Sequence, residues 1–436
     1  MTDRIPNYRR NMIAFLGDYI GFALAMTLTS TTAILPDFVG RLTDSLVVVG
    51  VFTSVSTGAW LFPQLIFARF LITKERKKPY VILGGVIGRP LYLLYAVALG
   101  LGLGRYPVPA LLLLLLVQFF FFVTDSLAAV AWLDMLAKAL PEAQRGRMIS
   151  IAQLISGVLS IGAGVMIAAL LSADGPPFPN NYAVILAAAG VSLVLSLLAC
   201  VFIVEPTEPV EEQRPSWSSY LPDLLSTLRQ DRSFARVIMV RLLAGFDGLA
   251  TGFYILFAIR ELGLPPETVG LFTAAQTAGR ILASLGLGRL SQRVGSHRVI
   301  QVATAISLTA PLTALALSLA GGRAGAATIT IYAWIYVVIG VVTSAGMLGF
   351  MNYVLELAPA GSRPTYIGLF NTISGVLVLL PTAGGFLLGV SSYNVLFVLT
   401  AAVLAVAHVL SWHLPPARQA RTMLAADPVT WPRKRI

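Results

Sequence analysis

The sequence predicts an all-α, polytopic membrane protein with twelve transmembrane helices in two bundles of six. Composition is the first observation: of 436 residues, 57% are hydrophobic and 12% are charged, whereas about 25% of a soluble domain is charged. The second is a series of twelve apolar runs, each near the roughly 20 residues that a helix needs to cross a bilayer. The third is an internal repeat relating the first six runs to the last six. Together these features exclude most soluble enzymes.

The apolar runs form two groups of six, separated by one polar stretch. The predicted spans are 12–36, 46–72, 80–103, 108–132, 147–171, 183–204, 236–259, 268–289, 298–320, 326–350, 366–390 and 394–414. The predicted units are an N-terminal half (1–204), a cytoplasmic linker with an amphipathic helix (205–235), a C-terminal half (236–414) and a cytoplasmic tail (415–436). The first run is too long for a signal peptide, so we expect it to be retained as a span.

The net charge of +11 has two competing explanations, nucleic-acid binding and membrane orientation. With the N-terminus inside, 24 of the 31 Lys and Arg residues fall in inner segments or at the inner ends of spans, 4 fall in outer segments and 3 lie deeper within spans. Positive residues stay on the cytoplasmic side of a membrane. The distribution therefore predicts a multi-pass protein of the cell (plasma) membrane with cytoplasmic N- and C-termini, surrounded by the lipid bilayer and without a nucleic-acid partner.

An internal repeat relates the two halves. Residues 155–159, Ile-Ser-Gly-Val-Leu, recur as residues 373–377, an offset of 218 (373 minus 155). At the same offset Pro141 matches Pro359 and Arg145 matches Arg363. Such repeats are typical of secondary transporters. The halves are therefore interpreted as copies of one six-helix unit.

The loop after the eighth span resembles the signature of the major facilitator superfamily, and the resemblance extends over essentially the whole chain. Residues 288–298 read Gly-Arg-Leu-Ser-Gln-Arg-Val-Gly-Ser-His-Arg, with Gln292 where the family has Asp. In the first half only residues 76–79, Arg-Lys-Lys-Pro, match the basic end of that motif. The resemblance implies two six-helix bundles that alternately expose a central site. The family's proton-driven drug-exporter motifs of the fourth and fifth helices are not matched.

The resemblance also implies a cytoplasmic gate built from the inner loops. Residues 141–147 resemble the family's inner loop between the fourth and fifth helices. The gate candidates carried over from these motifs and from the repeat are Gly288, Arg293, Gly295, Arg298, Arg145 and Arg363.

Two carboxylates in the first half are predicted to lie at one height in the bilayer. At a rise of about 1.5 Å per residue, Asp18 is about 9 Å from the inner end of its span and Asp125 about 10 Å from that of the fourth. In the resembled fold both helices face the central cavity. We expect the two groups to share one proton and to couple transport to protons. A structural hydrogen bond to a neighbouring helix is the alternative, and Arg89 is expected to be structural.

The second half contains a predicted ion pair. Asp247 lies about 16 Å and Arg280 about 13 Å from the inner ends of the seventh and eighth spans. The pair is either structural, or it opens so that Arg280 binds an anionic substrate. Asp247 is the third candidate for proton coupling, and Gln276, one turn before Arg280, and Asn371 are further candidates for substrate contact.

Aromatic residues near the outer end of the tenth span form a separate feature. Tyr332, Trp334 and Tyr336 are expected to belong to the interfacial aromatic belt.

The missing motifs narrow the function. The chain contains no phosphate loop, no His-Glu-x-x-His and no Gly-x-Ser-x-Gly, so we expect neither an enzyme nor an ATP-driven pump. Cys200 is the only cysteine, and no metal site or cofactor is expected. The leading prediction is a monomeric secondary transporter, an antiporter for efflux of small amphiphilic compounds coupled to protons. The alternatives are uptake or exchange of a small organic anion, and a non-transporting membrane sensor or lipid-translocating protein.

Overall fold

The computed structural model describes residues 7–207, 231–321, 325–358 and 363–416. These residues form helices and no strands, and twelve helical segments are long enough to cross a bilayer. Their bounds are Tyr8–Leu28, Leu46–Leu71, Lys78–Gly100, Pro107–Ala139, Glu142–Leu171, Asn180–Val201, Arg232–Glu261, Thr268–Val294, Ser296–Leu319, Ala326–Leu357, Tyr366–Val390 and Tyr393–Ser411. Eleven of them are also apolar enough; the eighth, Thr268–Val294, contains three arginines. The predicted fold class is confirmed.

Breaks in the helix interrupt or shorten several of the predicted spans. The prediction of a first span over 12–36 is wrong at its outer end, because the helix ends at Leu28 and a separate short helix, Ile34–Leu42, follows. The third span breaks at Pro90, which lacks a backbone donor. A 3₁₀ turn, Gly245–Asp247, interrupts the seventh span. These breaks change the direction of the side chains beyond them.

The helices pack as two groups. In the first half, the first span contacts the fifth and sixth, while the fourth contacts the second and third. In the second half, the tenth contacts the eighth and ninth, while the twelfth contacts the seventh and ninth. The halves touch mainly where the fifth span meets the eighth and the second meets the eleventh. The linker's predicted amphipathic helix falls mostly in 208–230, and most of the tail in 417–436, outside the described residues.

The halves are joined on the predicted outer side. Polar contacts between them, among the described residues, come from the outer ends and the middle of the spans. They are Arg260 to the carbonyl oxygens of Gly40 and Thr43, Arg260 to Asp44, Thr32 to Gln276, and Thr382 to Ser54. The arginine therefore caps the C-terminal end of helix Ile34–Leu42 from the other half.

Two glycines allow the fifth and eighth spans to approach closely on this side. A Cβ at Gly164 would lie 2.7 Å from the carbonyl oxygen of Gly270 and 2.9 Å from the Cβ of Ala274. A larger residue therefore requires the helices to separate. The molecule is closed at its predicted outer face, while its described inter-half hydrogen bonds do not extend to the inner face.

The expectation for the tenth-span aromatic residues is wrong for two of the three. Tyr332 and Tyr336 are fully buried. The Tyr336 ring stacks on Phe272 with a centroid separation of 4.8 Å, and the Tyr332 hydroxyl donates to the carbonyl oxygen of Tyr254 at 2.6 Å. Trp334 remains 44% exposed, as an interfacial residue would be. Both tyrosines point into the second half because that face of the tenth span packs against the eighth.

Candidate functional site

A cavity here called the acidic pocket lies within the first half. It has a volume of about 380 Å³ and is lined by the first four spans. Its principal lining residues are Asp18, Tyr19, Phe22, Met26, Trp60, Arg89, Phe122, Asp125 and Trp132. An apolar, aromatic wall thus surrounds two carboxylates and one guanidinium group, which suits a small organic molecule.

Asp18 lines the same pocket as Asp125, as its height predicts, but its ion pair is with Arg89. Arg89 Nη1 lies 2.8 Å from Asp18 Oδ1, and both side chains are almost fully buried. Ser196 Oγ donates to the same carboxylate oxygen at 2.6 Å and accepts from Arg89 Nη1 at 2.8 Å. The third and sixth spans therefore neutralise Asp18. The sequence did not predict this partner of Arg89, and its expected structural role stays a prediction.

Asp125 has no ion pair of its own in this pocket, although the charge of Arg89, which is paired with Asp18, also acts on it. The indole N–H of Trp60 donates to Asp125 Oδ2 at 3.2 Å. Among the described residues, no Lys, Arg or His nitrogen lies within 4 Å of its carboxylate. Because a charged group at the bilayer midplane needs a partner or water, Asp125 is available to a proton or to a ligand cation.

Arg280 occupies the boundary between the halves. It lines a cavity of about 300 Å³, the arginine cavity, together with Tyr19, Gln153, Ser156 and Ser284. It also lines a cavity of about 50 Å³, the threonine cavity, with Met26, Thr27, Ser30, Thr273, Gln276, Thr277 and Thr343. The Arg280 side chain is solvent-accessible and has no ion-pair partner among the described residues. Its donors are free to bind an anionic group.

The predicted pair of Asp247 with Arg280 is wrong. The charged group with which Asp247 interacts is Arg241, six residues earlier on the same span, and the Arg241 guanidinium lies 5.5 Å from the centroid of the Phe350 ring. The 3₁₀ turn at Gly245–Asp247 changes the direction in which this carboxylate leaves the helix. Asp247 lines none of these three cavities.

The two amide candidates have different surroundings. Gln276 lines the threonine cavity, and its Oε1 accepts a hydrogen bond from Thr32 at 2.8 Å. Asn371 lines none of the three cavities. Thr27, Thr273 and Thr343, which the sequence did not indicate as candidates, also line the threonine cavity. Threonines are common in apolar helices, so the residue type alone does not indicate a binding site.

The gate candidates do not form one cluster. Gly295 has a φ of +94° and separates the eighth and ninth spans. Arg298 donates to Gln301 at 2.8 Å, and Arg145 Nε donates to the carbonyl oxygen of Leu140 at 2.7 Å. Gly288 faces open space, and Arg293 has no ion-pair partner among the described residues. The side chain of Arg363 lies outside the described part of the chain.

The sequence did not predict a charged cluster that lies at the predicted inner end of the first half. Lys138 lies 2.8 Å and Lys77 3.9 Å from Asp134. Glu205 accepts the backbone N–H groups of Lys77 and Lys78 at 2.7 to 2.9 Å, at the start of the third span. Burial lowers the pKa of the Lys77 ammonium, and Asp134 opposes that effect. Asp134 of the fourth span and Glu205, after the sixth, thus bring two carboxylates to the basic loop 74–78. The acidic residue within that loop is Glu75.

Comparison with known proteins gives one sequence match and several structural ones. The sequence profile of the Major Facilitator Superfamily matches residues 19–375, and again 237–428. No curated protein matches the chain in sequence. Three solved structures share the fold at low identity. They are a mutant form of the nucleoside transporter NupG (14% identity, TM-score 0.69, 93% of this chain and 99% of that one), a bacterial homologue of the iron transporter ferroportin in an inward-facing state (16%, 0.67, 93% and 98%), and the inward-open xylose transporter XylE from E. coli (10%, 0.64, 95% and 98%).

Proposed function

Because the chain belongs to the major facilitator superfamily and is therefore a secondary transporter rather than an enzyme, we propose that it exports amphiphilic organic compounds in exchange for protons. The acidic pocket receives the compound, and Asp125 is the coupling carboxylate. We further propose that it acts as a monomer in the cell membrane, with both termini in the cytoplasm.

The environment of Asp125 carries this proposal. The carboxylate faces an apolar, aromatic pocket, has one hydrogen bond from Trp60 and has no basic group within 4 Å among the described residues. The charge of Arg89, which also acts on Asp125, is already engaged by Asp18. Leaving such a charge unpaired near the bilayer centre costs at least about 2.5–3.5 kcal/mol. Asp125 therefore favours either a bound proton or a bound cation. Competition between the two for one carboxylate is the simplest form of exchange.

The closed outer face supports alternating access. Arg260, Thr32 and Thr382 hold the halves together on that side. Release to the outside requires these contacts to break while the inner ends approach each other. Rocking of two bundles about a midplane site is the usual form of such movement.

A second candidate function is transport of a small organic anion. The observation in its favour is Arg280, which is solvent-accessible between the halves without a counterion among the described residues. Such a substrate would use the threonine cavity for its remaining polar groups.

Flux of ethidium, an amphiphilic cation, into proteoliposomes tests the proposal. A pH gradient should drive ethidium toward the acidic side, and Asp125→Asn should reduce this gradient-driven rate by about tenfold, the factor that corresponds to 1.4 kcal/mol. Asp174→Asn, at an exposed outer loop, serves as the matched control and should behave like the wild type.

Three other outcomes would contradict it. A gradient-driven ethidium rate in Asp125→Asn equal to that of the wild type would show that this carboxylate does not couple transport to protons. Flux of benzenesulfonate that depends on Arg280, without ethidium flux, would favour the second candidate. Binding of either probe without flux would favour a sensor.

A further inference from the structure

We infer that the acidic pocket and the two cavities at Arg280 form one composite site for a zwitterionic amphiphile, with its cationic group at Asp125 and its anionic group at Arg280. The inference rests on the proposed function, because it names the substrate class of the same transporter. It unites two features that otherwise point to different substrates.

The three cavities adjoin along one face of the first span. Tyr19 lines both the acidic pocket and the arginine cavity, and Met26 lines both the acidic pocket and the threonine cavity. These residues are seven positions apart, which is two helical turns or about 10 Å along the axis, so they share a face. Arg280 in turn lines both smaller cavities. A ligand lying along this face contacts all three.

The charges in this region leave one acid and one base unmatched. Asp18 and Arg89 cancel each other at 2.8 Å. Among the described residues, Asp125 on the fourth span and Arg280 on the eighth have no oppositely charged group within 4 Å, and Arg89, whose charge also acts on Asp125, is already paired with Asp18. A cationic ligand neutralises Asp125 and leaves Arg280 without an ion pair. An anionic ligand neutralises Arg280 and leaves Asp125 without one. Only a molecule with both charges satisfies both without a further ion.

The wall of the acidic pocket fits the cationic end. Trp60 donates to Asp125, and Phe22, Phe122 and Trp132 line the same space. A quaternary ammonium group binds favourably against aromatic faces beside a carboxylate. At the other end the guanidinium of Arg280 supplies the hydrogen-bond donors that an oxyanion requires. The hydroxyl groups of Thr27, Thr273 and Thr343 already donate to backbone carbonyl oxygens of their own helices.

The location of the two charges also has a mechanical consequence. Asp125 belongs to the first half and Arg280 to the second, so a zwitterion bridges the halves, whereas an ion of one charge binds to one half. A ligand that contacts both halves stabilises the state in which they close around it. Transport, as well as affinity, should therefore depend on the presence of both charges in one molecule.

Matched probes test the inference. Benzyltrimethylammonium provides the cation alone and 3-phenylpropanesulfonate the anion alone. Benzyldimethylammonio sulfobetaines with spacers of three, four and six carbons provide both. Binding to the purified full-length protein is measured by calorimetry, and flux in proteoliposomes. The best sulfobetaine should bind at least about tenfold more tightly than either singly charged probe and be transported faster than both.

Variants at each end supply the second arm. Asp125→Asn and Arg280→Gln should each weaken sulfobetaine binding by about tenfold. The affinity for the anionic probe should stay within about twofold in Asp125→Asn, and the affinity for the cationic probe should stay within about twofold in Arg280→Gln. Arg280→Lys should restore most of the sulfobetaine affinity, which shows that charge rather than packing is responsible. Asp174→Asn and Arg105→Gln, at exposed outer positions, are controls.

The outcomes separate the inference from the proposed function. If benzyltrimethylammonium is bound and transported in a manner that depends on Asp125, but no sulfobetaine binds more tightly than it does, the composite site is wrong. Export of amphiphilic cations then remains supported. If the sulfobetaines lose affinity in only one of the two variants, the composite site is wrong as well. If no probe moves under any gradient, the proposed function itself fails.

Discussion

The ion pair between Asp18 and Arg89 links three spans of the first half. Arg89 is on the third span, Asp18 on the first, and Ser196 of the sixth bonds to both. The sequence predicted the depth of Asp18 correctly enough to place it in a cavity, but depth does not identify a partner. Arg89 reaches Asp18 because the third span packs directly on the sixth, beside the first.

Breaking this pair should destabilise the protein strongly. Removing one partner of a buried ion pair leaves an uncompensated charge and costs about 3–5 kcal/mol. We expect Asp18→Asn and Arg89→Gln each to cause a loss of this size, and the double variant to lose clearly less than their sum. Unfolding can be followed in detergent with a thiol-reactive dye, because Cys200 is the only cysteine and is buried.

Arg105→Gln, on the outer surface, should change stability by less than about 0.5 kcal/mol. Strict additivity of the two single substitutions would mean that the two charges do not stabilise each other.

At the scale of elements, the fifth and eighth spans form a contact whose closeness depends on glycine. Gly164 faces Gly270, whereas Gly162, two residues earlier on the same span, has open space around it. Which of the two glycines lies at the contact depends on how the helix is rotated, and that rotation cannot be read from the sequence.

The two positions provide a matched comparison. Gly164→Val should force the outer ends of the halves apart and reduce the transport rate by about tenfold or more, because the added atoms meet backbone that cannot yield. Gly162→Val should leave the rate within about twofold, since its side chain enters open space. Equal losses in both variants would argue against close packing of these spans as a requirement for outer closure.

At the scale of the whole molecule, the two halves are unequal. The first half contributes the carboxylate and the aromatic wall, and the second contributes Arg280 and most of the threonines of its cavity. An internal repeat therefore supplies the architecture, while the chemistry of the site comes from positions at which the halves differ.

A reversible cross-link tests the required movement of the halves. An ideal Cβ at Gly252 of the seventh span lies 3.9 Å from the Cβ of Thr53 on the second, within the range of about 3.5–4.5 Å for disulfides. The double variant Thr53→Cys, Gly252→Cys should lose more than about 90% of its transport on oxidation and recover it on reduction, because the halves are then held in the closed-outside state.

Each single cysteine variant should transport equally under both conditions, and buried Cys200 should not interfere. Unchanged flux in the cross-linked protein would show that the halves do not separate at this side during transport.

The sequence by itself determined the number of membrane spans, the division into two related halves and the family. These properties depend on the length and polarity of successive segments, which can be read along one chain. It also identified the ionisable residues that lie within membrane spans, including Asp18, Asp125 and Arg280.

Only the tertiary structure decided which of these charges neutralise each other and which remain free. Asp18 forms an ion pair with Arg89, the charge that acts on Asp247 is that of Arg241 and not that of Arg280, and Arg280 lies between the halves. Periodicity and helix rise give a residue's height in the membrane. Its partner depends on helix rotation and on which other helices pack beside it, and those are set by contacts between segments far apart in the chain.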